Sequence, residues 1–192
     1  MADSEDKIQI VGFSTNDAIH SQNDILQILF DQYNHMIIKK SRHAISFSLV
    51  LPNKTNATKI MLCTLSDLTK EYPGIDDVNC YLIFIDLQQE KSKQTFDSIV
   101  SFLKNYCNLQ KKIYILGIVT DNGETNQIIH QKDIKKIMDS GNFYYKYIML
   151  NLEDKKKAAD SLLNIFIMIS QEGTDEYKFK KKHHQAHSCN VF

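Results

Sequence analysis

The sequence predicts an α/β protein with an open, mostly parallel sheet, helices on both faces and one antiparallel hairpin at the sheet edge. Strand-like and helix-like patterns alternate along most of the 192 residues. Two strand-like segments, 80–87 and 112–119, are apolar almost throughout, as parallel strands buried on both faces usually are. A turn-rich segment between two further strand-like runs predicts the hairpin.

The first half of the chain is predicted to hold a strand, a helix and the hairpin. Residues 7–13 alternate in polarity and then run apolar, which predicts a strand. Residues 24–36 carry apolar side chains at helical spacing, which predicts a helix with Asp24 or the residue before it as its N-cap. The two hairpin strands are predicted at 44–51 and 59–65.

The second half is predicted to alternate between strands and helices. Helices with one apolar stripe are expected at 95–106, 131–138 and 156–170. A last strand at 147–152 completes a six-stranded sheet. Residues 171–192 have no usable periodicity, so they are predicted to form a flexible tail rich in Lys and His.

Composition and charge exclude several classes of protein. Lys plus Arg number 23 and Asp plus Glu number 23, so the chain lacks the basic surplus of a general nucleic-acid binder. No apolar run reaches the roughly 18 residues of a membrane-spanning helix, and the acidic residues 1–6 lack the apolar segment of a secretory signal. We therefore expect a cytoplasmic protein with reduced cysteines that binds no nucleic acid.

A helix and two strands in the middle of the chain carry motifs of a known family. The pattern SFxxVxxWL is matched in type and spacing by Thr95, Phe96, Ile99, Phe102 and Leu103. This helix follows the strand YLIFIDL, and the later segment ILGIVTDN is similar to LVGNKxDL. These motifs resemble the Rab branch of the Ras superfamily of small GTPases. The resemblance implies a three-layer, P-loop-NTPase-like small-GTPase fold over residues 7–170 and a role in membrane or vesicle traffic.

The phosphate-binding residues of that family are missing. Small GTPases hold phosphates with GxxxxGK[ST], whose backbone N–H groups and Lys contact the oxygens and whose Ser or Thr binds Mg²⁺. Here Gly12 lies at the end of the first predicted strand, but residues 13–38 contain no Gly, Lys or Arg. Depending on the register, Asp17 or Asp24 falls where the phosphates should lie, and a carboxylate there opposes their binding.

The other nucleotide motifs of the family are also degenerate. Thr64 stands at the position of the Mg²⁺-site Asp in DxxG, and Asn151-Leu152-Glu153 replaces the last motif, Ser-Ala-Lys. Only Asp121 survives from the base-reading NKxD. Gly12 and Asp121 are thus the candidates for a residual nucleotide pocket. GTP or GDP with Mg²⁺ is expected only if the protein is a divergent GTPase, and neither a catalytic residue nor a metal site is predicted.

The C-terminal residues predict a lipid anchor. Cys189-Asn190-Val191-Phe192 fits the prenylation signal C-a-a-X, and a final Phe favours geranylgeranyl transfer. One lipid chain anchors weakly, and a basic patch supplies a second signal. That patch consists of Lys178, Lys180, Lys181 and Lys182. A prenylated Cys189 and these lysines would hold the protein on the anionic, cytosolic face of a membrane. The alternative is a solubilising tail with an unmodified cysteine.

Three functions are compatible with these features. The first is a membrane-tethered, Rab-like pseudo-GTPase that serves as a docking or scaffold module for partner proteins. The second is a divergent GTPase that binds GTP through unusual contacts. The third is a non-prenylated, Rab-like subunit of a larger assembly, such as a ciliary transport complex. The first is favoured because the missing Lys, glycines and Mg²⁺-site carboxylate supply most of the electrostatic stabilisation in phosphoryl transfer.

Overall fold

The fold is described by a computed structural model that covers most of the chain. Its backbone is described for residues 7–14, 22–40, 44–52, 54, 56–64, 75, 77–107, 110–120 and 127–187. Side chains are described over the same ranges except at 22, 23, 64 and 172–187.

The described residues form a seven-stranded sheet. Its strands are β1 (Lys7–Ser14), β2 (His35–Lys40), β3 (Ala44–Leu49), β4 (Thr58–Thr64), β5 (Cys80–Asp86), β6 (Ile113–Val119) and β7 (Tyr145–Asn151). Their order across the sheet is β2-β3-β4-β1-β5-β6-β7. Pairing is parallel from β4 through β1 to β7 and antiparallel among β2, β3 and β4. The predicted α/β class, with a mostly parallel sheet and a β3–β4 hairpin, is confirmed.

The described ranges contain four helices, of which three connect strands and the last follows β7. They are α1 (Gln22–Gln32), α2 (Glu90–Tyr106), α3 (Gln131–Ser140) and α4 (Lys155–His187). The last helix is longer than the predicted 156–170, because its backbone stays helical to His187. The N-cap prediction for α1 is wrong, since the helix begins at Gln22 and Asp24 lies inside its first turn.

The prediction of six strands is wrong, and the additional strand is β2. The apolar residues Tyr33 and Met36 continue the helical spacing of the preceding segment, which predicts a helix up to residue 36. In the structure α1 ends at Gln32, where the Tyr33 N–H donates to the Leu29 carbonyl oxygen at 3.0 Å. The chain then forms β2, which pairs with β3 and takes the place at the sheet edge predicted for the hairpin. Pairing with a distant strand is a tertiary interaction that local spacing does not encode.

Apolar side chains fill the space on both faces of the sheet. Successive side chains of a strand point to opposite faces. Along β5, Leu82 and Phe84 pack into the core beside α1 and α4, whereas Ile83 and Ile85 pack into the core beside α2 and α3. All residues of β5 and β6 are buried, which confirms the double burial predicted from their apolar sequences.

Three aromatic rings tie α1, β3 and α4 together. The Phe47 ring of β3 is fully buried and meets the Phe30 ring of α1 edge to face, with 4.9 Å between centroids. On its other side it meets the Phe166 ring of α4 at 5.8 Å, again edge to face. Edge-to-face pairs of this kind add to the stabilisation from burial alone. Phe47 thus fixes the antiparallel part of the sheet to the helical layer.

A side-chain hydrogen bond makes a second link between the same helices. The hydroxyl of Tyr33, just after α1, donates to the Asp160 carboxylate on α4. This hydrogen bond, with some burial and the nearby negative charge, raises the pKa of Tyr33 above its ordinary value of 10.0. The raised pKa means that the folded state favours the protonated phenol.

We expect Tyr33→Phe to lower the free energy of unfolding by roughly 1 kcal/mol at neutral pH, since it removes one side-chain hydrogen bond. The bond stabilises the fold fully below pH 10.0, the ordinary tyrosine pKa, and this stabilisation is lost as the pH rises through the raised pKa of Tyr33. Urea unfolding of the wild type and the variant at about pH 7 and about pH 11 tests this. A stability difference of the same size at both pH values would contradict it.

Candidate functional site

The carboxyl ends of the parallel strands define the candidate functional site. Ligands of open α/β sheets bind outside these ends, and the resemblance to small GTPases implies a nucleotide at the same place. The strand ends that meet along this edge are Thr64, Ser14, Asp86, Val119 and Asn151.

Gly12 lies inside β1 and not after it. It pairs with Thr64 of β4 and Leu82 of β5, and the strand continues for two more residues to Ser14. Phe13 stabilises this part of the strand, because its ring is buried. Its ring centroid lies 6.3 Å from that of Tyr81 and 5.8 Å from that of Phe102. The strand predicted at 7–13 already contains Gly12, and the structure confirms that strand. A phosphate-binding glycine needs to sit in a loop, where its backbone N–H can face the ligand.

The start of α1 presents a negative charge. Helix N-termini attract phosphate through their unpaired N–H groups and the helix dipole. Asp24 supplies a carboxylate in the first turn of this helix, where it complements the dipole itself. A bound phosphate would lie close to that carboxylate, which opposes binding.

At the middle of this edge, residues just after β5 and β6 form hydrogen bonds with each other. The Gln88 side-chain oxygen accepts hydrogen bonds from the Thr120 N–H at 2.7 Å and from the Thr120 hydroxyl at 2.9 Å. The Gln88 N–H donates to the buried Asp86 carboxylate at 2.9 Å. The sequence analysis missed this Gln88–Thr120 contact, because it joins residues 32 positions apart. Three donors and their acceptors at the strand ends are thus paired within the protein.

Backbone hydrogen bonds of Leu87 add to these contacts at the end of β5. Its N–H donates to the Ile118 carbonyl oxygen at 3.0 Å, and its own carbonyl oxygen accepts from Ile128 N–H at 2.8 Å and Ile129 N–H at 3.1 Å. The segment that precedes α3 is thereby fixed against the end of β5. Close packing continues beneath it, where a Cβ atom on Gly117 would lie only 2.5 Å from the Tyr147 hydroxyl oxygen.

The positions that align with the guanine-binding motifs of small GTPases carry side chains that are either apolar or hydrogen-bonded to nearby backbone. Ile118 and Val119, which align with Asn and Lys of NKxD, are 2 % and 1 % exposed and belong to the two cores. Their side chains cannot donate or accept hydrogen bonds. Asn151 is used locally, since its side-chain oxygen accepts from the Glu153 N–H at 3.0 Å. Asp121 lies outside the described residues.

The predicted membrane-binding residues lie at the end of the chain. Lys178, Lys180, Lys181 and Lys182 belong to the helical backbone of α4, and their side chains are not among those described. Cys189 lies outside the described residues. Among the described residues, no helix combines the length and the apolar composition that crossing a membrane requires.

The structure also brings out a surface that the sequence analysis missed. All six residues of β2 are exposed, including Met36 at 63 %, Ile37 at 43 % and Ile38 at 45 %. One feature of the sequence points to this surface: residues 32–66 contain five Lys and Arg residues and no Asp or Glu. We call β2 with its outer edge the β2 surface.

Comparison with known proteins adds no relative. Neither a scan against protein-family models nor a search of curated proteins finds a match to this chain. Two described surfaces are the basis for a functional proposal, the carboxyl edge, where the ends of β5 and β6 are hydrogen-bonded to each other, and the β2 surface.

Proposed function

We propose that this chain is a membrane-tethered, Rab-like docking or scaffold module that does not hydrolyse GTP. The observation that carries the proposal is the carboxyl edge of the sheet. There, within the described ranges, the ends of β5 and β6 are hydrogen-bonded to each other through Gln88 and Thr120. A small-GTPase-like sheet without a nucleotide site would retain its outer surfaces for binding proteins.

The sheet topology supports the small-GTPase part of this proposal. An antiparallel hairpin followed by parallel strands, with helices on both faces, is compatible with a P-loop-like fold. The middle of the chain adds the Rab-like motif that begins at Thr95, where Phe96, Ile99 and Phe102 are all buried on the inner face of α2. These residues stabilise the fold, so the Rab resemblance rests on core positions and not on a nucleotide site.

GTP with Mg²⁺ does not fit the residues at the carboxyl edge. Hydrolysis needs a Lys on the phosphates, a hydroxyl and a carboxylate for Mg²⁺, and a residue that positions water. Residues 13–38 supply neither Gly nor Lys nor Arg, and Thr64 replaces the carboxylate. Asp24 adds a negative charge at the start of α1. Removing preorganised charge of this kind removes the largest contribution to catalysis.

The proposed membrane tether depends on Cys189 and on the lysines that precede it. Cys189 stands four residues from the end in a C-a-a-X arrangement, and four lysines precede it after the last acidic residue, Glu176. A lipid chain and a basic patch together give stable binding to an anionic membrane, whereas either alone binds weakly.

We expect the purified protein to contain no GDP or GTP and to show no thermal shift with Mg²⁺-GTP. A ligand at 100 times its dissociation constant would stabilise the fold by about 2.7 kcal/mol, which raises the melting temperature by several degrees. Nucleotide extraction followed by chromatography, together with differential scanning fluorimetry, measures both quantities. An active small GTPase run in parallel provides the positive control.

A clear thermal shift with GTP that Asp121→Ala abolishes would contradict the proposal and favour the divergent GTPase. Asp154→Ala is a matched control, since Asp154 is exposed and caps α4 through the Lys157 N–H at 3.0 Å. If neither nucleotide binding nor lipid modification is found, the non-prenylated assembly subunit becomes the better interpretation.

A further inference from the structure

The outer edge of β2 is open within the described ranges. β2 is the last strand on its side of the sheet and pairs only with β3. In an edge strand, every second residue turns its backbone N–H and C=O outward, where they can pair with another strand. The register of β2 on β3 shifts between Ile37 and Lys39, so residues 35–37 form the regular part of this edge.

The opposite edge of the sheet is different. There the side chains of β7 are held by neighbouring elements. The Tyr145 hydroxyl lies 3.5 Å from the Asp139 carboxylate on α3, and the Lys146 ammonium group lies 2.9 Å from the Met168 sulfur on α4. The Met149 sulfur of β7 accepts from the Gln127 amide at 3.5 Å. In β2 all six residues are exposed, and the His35 ring stacks on the Phe30 ring of α1, with 4.4 Å between centroids.

The β2 surface combines apolar side chains with positive charge. Met36, Ile37 and Ile38 are followed directly by Lys39 and Lys40. The segment 32–66, which forms β2, β3 and β4, has five cationic residues and no carboxylate, although the whole chain has net charge zero. Exposed apolar residues rimmed by charge are typical of protein interaction sites.

We propose that β2 binds an extended, acidic segment of a partner protein, which adds to the sheet as a further strand beyond β2. This inference rests on the proposed docking function and names the chemistry of its partner. Backbone hydrogen bonds from the open edge would give affinity, and apolar side chains on one face of the segment would cover Met36. Asp or Glu residues on its other face would lie near Lys40, which the register places opposite Ile45, and would select for acidic partners.

The positive charge of β2 disfavours a second copy of this chain as the binding partner at this edge. Pairing β2 with β2 of another molecule would bring two segments together that each carry five cationic residues and no carboxylate. Like charges across a strand pair are destabilising. Lys at an edge strand and a bulge such as the one at Ile38 are also devices that discourage self-association.

The test uses a short fluorescein-labelled peptide of alternating Glu and Val, about eight residues long, as a typical strand is. We expect the full-length chain to bind it in fluorescence anisotropy and in parallel to protect amides of residues 35–40 from hydrogen exchange. The same peptide with N-methyl groups on alternate backbone nitrogens keeps its charge but cannot pair as a strand. It should therefore not bind.

Charge-reversal variants test the role of the lysines. Lys39→Glu with Lys40→Glu should weaken peptide binding about tenfold, the effect of losing about 1.4 kcal/mol of attraction. Lys135→Glu with Lys136→Glu makes the same charge change at exposed positions of α3 and should leave binding within about twofold. If the first variant unfolds, the N-methylated peptide on the wild type still decides the question.

Four results would overturn the inference. They are no peptide binding, equal binding of the N-methylated peptide, equal loss in both double variants, and no change in the exchange of residues 35–40. Dimers that depend on Lys39 and Lys40 in sedimentation would identify a second copy instead. Binding to phosphatidylserine vesicles through these lysines, without peptide binding, would identify a membrane. A GTP-dependent thermal shift tests the proposed function separately, so its failure is distinguishable from the failure of this surface.

Discussion

Replacing Cys189 with Ser is expected to move the protein from the membrane fraction to the soluble fraction of the cell. The proposed prenyl group is attached to this sulfur, and serine does not accept it. Four lysines alone contribute on the order of 3–4 kcal/mol at an anionic surface at low salt, and less at physiological salt. Fractionation of cells, with the mass of the purified wild-type chain, measures both the location and the modification.

The matched control is Cys107→Ser, which removes a half-exposed cysteine of the folded domain and leaves the C-a-a-X sequence intact. This variant should stay in the membrane fraction. Wild-type protein with unmodified mass in the soluble fraction would refute the anchor. It would favour a tail that contacts protein in a larger assembly.

The salt dependence of membrane binding distinguishes the contribution of the lipid from that of the lysines. When Lys178, Lys180, Lys181 and Lys182 are replaced by Gln, the remaining membrane binding should no longer depend on salt. Electrostatic attraction is screened within a Debye length of about 8 Å at physiological salt, whereas insertion of a hydrocarbon chain is nearly independent of salt. Washing membranes of wild type and variant at low and high salt compares the two contributions.

The second large effect concerns the core. Phe47→Ala is expected to lower the free energy of unfolding by about 3–5 kcal/mol, because it opens a cavity between α1, β3 and α4. The loss includes the edge-to-face contacts with Phe30 and Phe166. Urea unfolding monitored by circular dichroism gives the size of the change.

Tyr144→Ala is the matched control for this experiment. It also removes an aromatic ring, but Tyr144 is 61 % exposed and contacts chiefly the Lys112 ammonium group, 5.0 Å from its ring centre. We expect it to cost less than about 1 kcal/mol. Similar losses in both variants would show that Phe47 does not anchor the hairpin to the helices. Because β2 pairs with β3, Phe47→Ala should also weaken peptide binding at the β2 surface.

The sequence by itself determined the α/β class, the β3–β4 hairpin and the buried strands β5 and β6. These features depend on apolar patterns within short segments, and such patterns follow directly from which faces of a strand or helix are buried. Continuous apolar runs predicted double burial, and all residues of β5 and β6 are buried. The absence of Gly, Lys and Arg from residues 13–38 was also evident from the sequence, because it depends on residue types and not on packing.

Two features followed only from the tertiary structure, namely strand β2 and the Gln88–Thr120 contact at the carboxyl edge. The segment HMIIKK lacks an alternating pattern because all of its side chains are exposed, so only its pairing with β3 makes it a strand. Gln88 reaches Thr120 because two parallel strands end side by side. In each case the stabilising partner lies far away in sequence, and local patterns carry no information about distant partners.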